Sequence, residues 1–394
     1  MPPNPKPRTP AYLLVGNYGV GNAGDEILRE YFLEHFPKVE WQVLSAHPSS
    51  GELPRFPGGV RSLFSLRWFR TLRALRKADG IVFGGGSLWT DLESVRACFL
   101  WSVHAWFARL CGKPYFLAFQ GIGPFRTRVG EWLTRWVIAH ASFISVRDSF
   151  SFERLSGLSS TEPRACRGTS GEASRRSAAR FARGEYCRVE GACPEPVEGW
   201  KKSTRVIQSF DPSFSLLKAT KENLRTKNLF IFIPRFSTGW DGQTQRKFLS
   251  FFEEIRAKGG EVRILSLHPT HAAEEMLCRV FADALQLPIE TVSSLRGVAS
   301  FIVQASCVLT ERYHGALAAL ASGVPFFVLR REEGDKLDAL AEECNCPSET
   351  LASFSQQTFL EVNWEERTRD LFAVWNKCEE LVRVGEEELR KALG

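Results

Sequence analysis

Apolar positions fall into two kinds of stretch along this chain. Short apolar runs, Tyr12–Val15, Trp41–Leu44, Gly80–Phe83, Tyr115–Phe119 and Phe143–Val146, alternate with polar or glycine-containing turns and with helical patterns such as Ile27, Leu28, Tyr31, Phe32 and Phe36. Bounded runs of this length predict buried strands, and spacings of three and four predict helices. The pattern restarts with Leu229–Ile233, Val262–Leu267, Cys307–Thr310 and Phe326–Leu329. Such alternation implies parallel sheets with helices on both faces, and so an α/β chain of two Rossmann-like domains, residues 1–217 and 218–362. The last stretch, 363–394, predicts a long helix from Trp364 to Leu393 that packs back on the first domain.

A segment from about residue 159 to residue 203 breaks the pattern between a helix, Phe150–Leu155, and a strand, Arg205–Ser209. It is rich in Arg, Ser, Gly and Glu and nearly free of aliphatic periodicity, which predicts a disordered surface insertion. The full length, 394 residues, exceeds one ordinary core, and 44% hydrophobic with 24% charged residues is a soluble globular composition. The proline-rich start lacks the apolar run of a secretory signal, and no stretch is apolar enough to span a bilayer, so a cytoplasmic protein is expected. Ten cysteines are scattered, and Cys344-Asn-Cys346 has no second pair to complete a zinc site. The net charge is +6. Much of that excess is attributed to Gly157–Arg205, which argues against a nucleic-acid partner. Arg61–Lys77 forms a basic amphipathic pattern, either a core-facing helix with a solvated Arg face or a helix lying on a membrane.

Three glycine-rich segments follow strands. Gly19-Val-Gly-Asn-Ala-Gly24 has the spacing of a dinucleotide fingerprint, but Leu44 leads to Ser45, Ala46 and His47 with no acidic residue for a ribose. The loop therefore serves another ligand, or is a tight turn with Asp25 as helix cap. Gly84–Asp91 and Gln120–Pro124 come next, at strand ends where open α/β sheets place their ligands. Asn22, Asp25, Ser87, Asp91 and Gln120 are the candidate partners for acceptor hydroxyls.

Charged groups also mark strand ends. After Phe143–Val146 come Arg147, Asp148 and Ser149, which read either as an ion-pairing Arg with a helix cap or as ligand contacts. After Cys307–Thr310 come Glu311-Arg312-Tyr313-His314-Gly315 and an alanine-rich helix. A helix amino end beside an Arg fork and an imidazole makes an anion site with a proton donor. Arg235 and Lys336 add cations at the same sheet edge. His268 and His271 lack acidic or cysteine partners at a recognisable interval, so no metal is expected.

Taken in order, Asn22-Ala-Gly24-Asp25-Glu26, Gly84-Gly-Gly-Ser-Leu88, Gln120-Gly-Ile-Gly-Pro124, Ser145-Val-Arg-Asp148, Asp211-Pro-Ser-Phe214 and Arg312-Tyr-His314 with Gly323-Val-Pro325 resemble the polysaccharide pyruvyl transferases, particularly the CsaB type acting on secondary cell-wall polymers. The similarity runs from about Tyr12 to Leu340, apart from the insertion. The resemblance implies a GT-B-like fold with the active site in the interdomain cleft. It implies phosphoenolpyruvate as donor with no further cofactor, and a sugar acceptor, often lipid-linked N-acetylmannosamine. It implies that Arg147, Arg235, Arg312, His314 and Lys336 handle the donor, with His314 as the acid and Arg312 and Arg147 in the catalytic set. Asp25, Asp91 and the departing phosphate are candidates for the base. A lipid-linked acceptor would place the protein peripherally at the inner face of the cell membrane. A nucleotide-sugar glycosyltransferase and an inactive glycan-binding relative are the alternatives.

Overall fold

The computed structural model describes residues 8–92, 94–158, 187–189, 204–218, 228–237, 239–268, 271–292, 294–330 and 336–394. Two compact units emerge: Met1–Val20, Leu28–Asp211 and Arg383–Gly394 form the first, Gly21–Ile27 and Pro212–Val382 the second.

The first unit holds β1 (Ala11–Val15), β2 (Glu40–Ser45), β3 (Leu53–Pro54), β4 (Gly80–Trp89), β5 (Tyr115–Ile122), β6 (Phe143–Val146), β7 (Cys187–Val189) and β8 (Thr204–Gln208). Their spatial order is β3-β2-β1-β4-β5-β6-β8-β7. All neighbours are parallel except β7 and β8. The second unit holds β9 (Leu229–Ile233), β10 (Glu261–Ser266), β11 (Ile289–Thr291), β12 (Cys307–Thr310), β13 (Phe326–Arg330) and β14 (Ser348–Thr350), ordered β11-β10-β9-β12-β13-β14 and parallel throughout. Counted from its own first strand, each sheet begins 3-2-1-4-5-6, the doubly wound order. The strand order therefore reverses between β1 and β4 in the first unit and between β9 and β12 in the second, and ligands of such sheets bind at that reversal. The expected pair of Rossmann-like α/β sheets is present. The short strands β3, β11 and β14 had no signature in the sequence, because two or three residues carry no periodicity.

Between β1 and β5 come α1 (Ala23–His35), whose residues to Ile27 belong to the second unit and the rest to the first, and then α2 (Val60–Phe64), α3 (Phe69–Lys77) and α4 (Val95–Leu110) of the first unit, with α5 (Arg128–His140) after β5. The Ile27, Leu28, Tyr31, Phe32 and Phe36 side chains of the α1 pattern are all buried. Ser94 and Thr127 cap α4 and α5 by accepting from the N–H groups of Arg96 and Gly130. On α3 only Thr71 and Leu75 are buried, so it is a core-facing helix with its arginines in solvent. The glycine segment expected as a loop after Phe83 is instead the second half of β4. Gly84 lies under Tyr18, whose hydroxyl donates to the Gly84 carbonyl at 2.8 Å, and a Cβ at Gly84 would stand 2.4 Å from that oxygen. Gly85 and Gly86, at φ +82° and +91°, take left-handed backbone just before the pairing of β4 with β5 shifts register between Gly86 and Trp89. Of the expected insertion, only Cys187–Val189 falls within the described residues.

A phenylalanine-rich core fills the second unit, with Phe232, Phe248, Phe251, Phe252 and Phe281 packed around Trp240. The alanine-rich helix, Tyr313–Ala321, is buried on nearly every side. A Cβ at Gly315 would stand 2.7 Å from Thr310 Oγ1 and 3.0 Å from Ile233 Cδ1, so small residues bring this helix close against β9 and β12. The long C-terminal helix spans Trp364–Leu393. In the second unit its Trp375 indole N–H donates to the Ala321 carbonyl at 3.1 Å. In the first, its Glu386 accepts from the Tyr31 hydroxyl at 2.9 Å and its Leu393 carbonyl from the Tyr12 hydroxyl at 3.1 Å. No helix among the described residues is long and apolar enough to cross a membrane.

Candidate functional site

The second unit's strand reversal is flanked by the ends of β9 and β12, which are paired in register as far as Ile233 and Thr310. Arg235 follows the first strand and Glu311-Arg312-Tyr313-His314 the second. Glu311 ties them together: one buried carboxylate oxygen accepts from the Arg235 backbone N–H at 2.9 Å and from the Trp240 indole N–H at 2.8 Å. Arg312 is the residue before the helix Tyr313–Ala321, and its guanidinium pairs with Glu274, a carboxylate only 1% exposed. Glu274 sits in the first turn of the helix Ala272–Leu285, where the His271 side chain caps its own N–H. An ion pair of this kind orients the guanidinium plane at the amino end of the alanine-rich helix.

His314 is the second residue of that helix, placing its imidazole where backbone N–H groups and the helix dipole favour an anion. Lys336 opens a further helix, Lys336–Glu343, and holds its ammonium 5.3 Å from the Tyr313 ring centre. The Tyr313 and His314 rings stand edge to face, also 5.3 Å apart. The glycine loop completes this cluster. Gly24 abuts the imidazole so closely that a Cβ there would stand 2.2 Å from both Cε1 and Nδ1 of His314. In the same loop Asn22, rather than Asp25, caps α1: its side-chain oxygen accepts from the Gly24 N–H at 3.1 Å and its amide donates to Asp25 at 2.8 Å.

His268 reports the electrostatics. Burial first, then the positive charges of Arg312, His271 and Arg235, hold its imidazole below the ordinary value. The two histidines of Leu-His-Pro-Thr-His thus belong to a cationic neighbourhood. Among the described residues no three His, Cys, Asp or Glu side chains gather as a metal set.

At the first unit's strand ends, polar groups bind one another. Arg147, expected to handle the donor, is 1% exposed and donates to Asp211 Oδ2 at 2.6 Å and to Ser87 Oγ at 2.7 Å. Gly121 leaves it room, since a Cβ there would lie 2.9 Å from Ser87 Oγ and 3.2 Å from Arg147 Nε. Asp91, expected at the acceptor, accepts from the N–H groups of Arg126 and Thr127 at 2.6 and 2.7 Å and anchors the turn into α5. Gln120 is fully buried and donates to the Phe83 and Ala118 carbonyls at 2.9 Å. Asp148 caps the next helix, Ser149–Leu158, by accepting from the Ser151 N–H at 2.6 Å. Of the five residues expected at the donor, the structure brings Arg235, Arg312, His314 and Lys336 to one sheet edge and buries Arg147 in the other unit. Glu274 and Asp211, the ion partners of Arg312 and Arg147, and Glu311, which holds the Arg235 backbone, were not singled out from the sequence in these roles. Asp211-Pro at a strand end was the one available signal.

The family model for polysaccharide pyruvyl transferases matches residues 22–166 and 197–333. No curated protein matches the chain. Among solved structures, the Anabaena protein Alr3699/HepE, in complex with UDP and glucose, is 10% identical over 98% of this chain and 99% of that one, with a TM-score of 0.53. The S. aureus MnaA–UDP structure is 12% identical over 95% of this chain and 91% of that one, with a TM-score of 0.52. At such identities these likenesses show a shared two-sheet α/β fold and nothing of the ligand.

Proposed function

The chain belongs to the polysaccharide pyruvyl transferase family, a family of transferases, and from that premise we propose that it moves the pyruvyl group of phosphoenolpyruvate onto two hydroxyls of a cell-envelope sugar. The observation that carries the reading is the cationic cluster of Arg235, Arg312 and Lys336 that shares the second unit's strand reversal with the His314 imidazole. A small anion bearing both a carboxylate and a phosphate suits such a cluster.

In this reading Arg312, Arg235 and Lys336 hold the donor's anionic groups, and the bound charge favours the protonated form of His314. His314 gives its proton to the enol methylene carbon. A sugar hydroxyl oxygen bonds the neighbouring carbon, the bond from that carbon to the phosphate oxygen breaks, and a second hydroxyl closes the ketal. Two hydroxyl protons leave, one restoring His314 and the other departing with phosphate. Asp25 and the phosphate itself are the candidates for taking them up, since Asp91 is engaged in the turn before α5. Arg147 acts as a brace that sets Ser87 and the end of β5, and lipid-linked N-acetylmannosamine is the acceptor the family resemblance favours.

Isothermal titration tests this directly. Phosphoenolpyruvate should bind and UDP-sugars should not, and acceptor saccharide should then release phosphate. Binding of a UDP-sugar with no binding of phosphoenolpyruvate would overturn the proposal in favour of glycosyl transfer.

A further inference from the structure

A cavity of about 770 Å³ opens in the first unit between α2, α4 and α5, lined by Leu63, Phe99, Val103, Trp106, Trp132 and Trp136 among others. Its rim is apolar and open to solvent. Phe99 is 48% exposed, Trp106 51% and Trp132 64%, and beside them Phe64 reaches 76%. Nine of the fifteen exposed large hydrophobic side chains among the described residues lie between Leu63 and Trp132, so the exposure is concentrated on one region rather than scattered.

Charge is concentrated there too. Across residues 53–141 the chain carries thirteen arginines and lysines against four acidic residues, an excess larger than the +6 of the whole chain. The basic character therefore belongs chiefly to this region rather than to Gly157–Arg205. Arg67, Arg70, Arg73, Arg96, Arg109 and Arg128 are exposed. Helical spacing sets three of them beside the apolar rim, pairing Arg96 with Phe99 and Arg109 with Trp106 on α4, and Arg128 with Trp132 on α5. Of the acidic residues, Asp91 is buried in its turn and Glu131 pairs with Arg135 at 2.8 Å, leaving little to offset the arginines.

We infer that this face docks the protein onto an anionic phospholipid bilayer, with the tryptophans in the headgroup layer, the arginines on lipid phosphates and the cavity taking an acyl chain. Two independent signals, apolar insertion and basic attraction, are what stable peripheral binding requires. Tryptophan beside arginine is the pairing that suits a membrane–water boundary. Charge complementarity selects the bilayer over a second copy of this chain, because two copies meeting by this face would oppose like-charged surfaces. The inference rests on residues of the first unit alone and stands whichever donor the cluster of the second unit takes.

The test is co-sedimentation of the full chain with vesicles of phosphatidylcholine alone and of phosphatidylcholine mixed with phosphatidylglycerol, at low and high salt. Binding is expected only to the mixed vesicles, weakened by salt, with a blue shift of tryptophan emission. The double variant Trp106→Ser with Trp132→Ser and the double variant Arg96→Glu with Arg109→Glu should each weaken binding by about tenfold or more. All these side chains are exposed, so the melting temperature and pyruvyl transfer to a water-soluble saccharide should be unchanged. Failure of the full chain to bind mixed vesicles would overturn the inference. So would a dimer in solution that dissociates in the tryptophan variant, since a second copy would then cover this face.

Discussion

Two sheets with the same strand order end in opposite electrostatics. At the first unit's strand ends the polar side chains neutralise or bond one another: Arg147 with Asp211 and Ser87, Asp91 with the turn into α5, Gln120 with strand carbonyls. At the second unit's strand reversal positive groups gather, and of the two buried carboxylates there Glu274 orients the Arg312 guanidinium while Glu311 holds the Arg235 backbone, beside the helix that bears His314. A doubly wound sheet offers the same place for a ligand in both units, and in the second unit that place gathers Arg235, Arg312, Lys336 and the His314 imidazole. The contrast extends to histidine. His104 of the first unit is wholly buried, accepts from the Phe56 N–H at 3.1 Å and has the Leu100 carbonyl 2.8 Å from its other nitrogen, whereas His314 is partly exposed at a helix amino end.

The sharpest way to break this contrast is His314→Ala, which should lower turnover by about 10²- to 10⁴-fold, the range of a lost general acid, while phosphoenolpyruvate binding is largely kept. Steady-state phosphate release and titration together measure both, and near-normal turnover would remove the acid assignment. Next comes Arg147→Met, which strands Asp211 in the interior and should cost about 3–5 kcal/mol in urea unfolding. A variant of unchanged stability but weakened donor affinity would show that Arg147 binds ligand rather than braces the fold.

Acidification should act on the first unit through His104, whose imidazole burial pushes down to about 4 from 6.5. Below pH 6.5 the unfolded chain takes up a proton that the folded chain refuses, so stability should fall as pH drops from 6.5 toward 4, by about 3 kcal/mol in all. Unfolding curves across that interval measure it, and His104→Gln should flatten the slope. The smallest effect is expected from Gly24→Ala, whose new methyl must displace the His314 ring. Turnover should drop up to about 10²-fold with stability nearly unchanged, and unaltered turnover would show that the ring position is not critical.

Much of the fold was legible in the residues. Strands buried on both faces announce themselves as apolar runs, and the α1 stripe, the alanine-rich helix and the C-terminal helix followed from spacing alone. Gly84–Gly86 misled, because glycine marks a bulge inside a strand as readily as a loop after one. For the site, the motif around Arg312 and His314 could be read from chemistry at a strand end.

What the sequence determined by itself was local: periodicity, the helix amino end behind His314 and the kinds of charge placed near strand ends. Only the tertiary structure decided which charged groups meet. Arg147 meets Asp211 sixty-four positions on, and Arg312 meets Glu274 from a different helix. Gly24 seats an imidazole nearly three hundred residues away. The physical reason is that hydrophobic spacing repeats along the chain, whereas an ion pair depends on two side chains meeting at a few ångströms after folding, a distance no local pattern encodes.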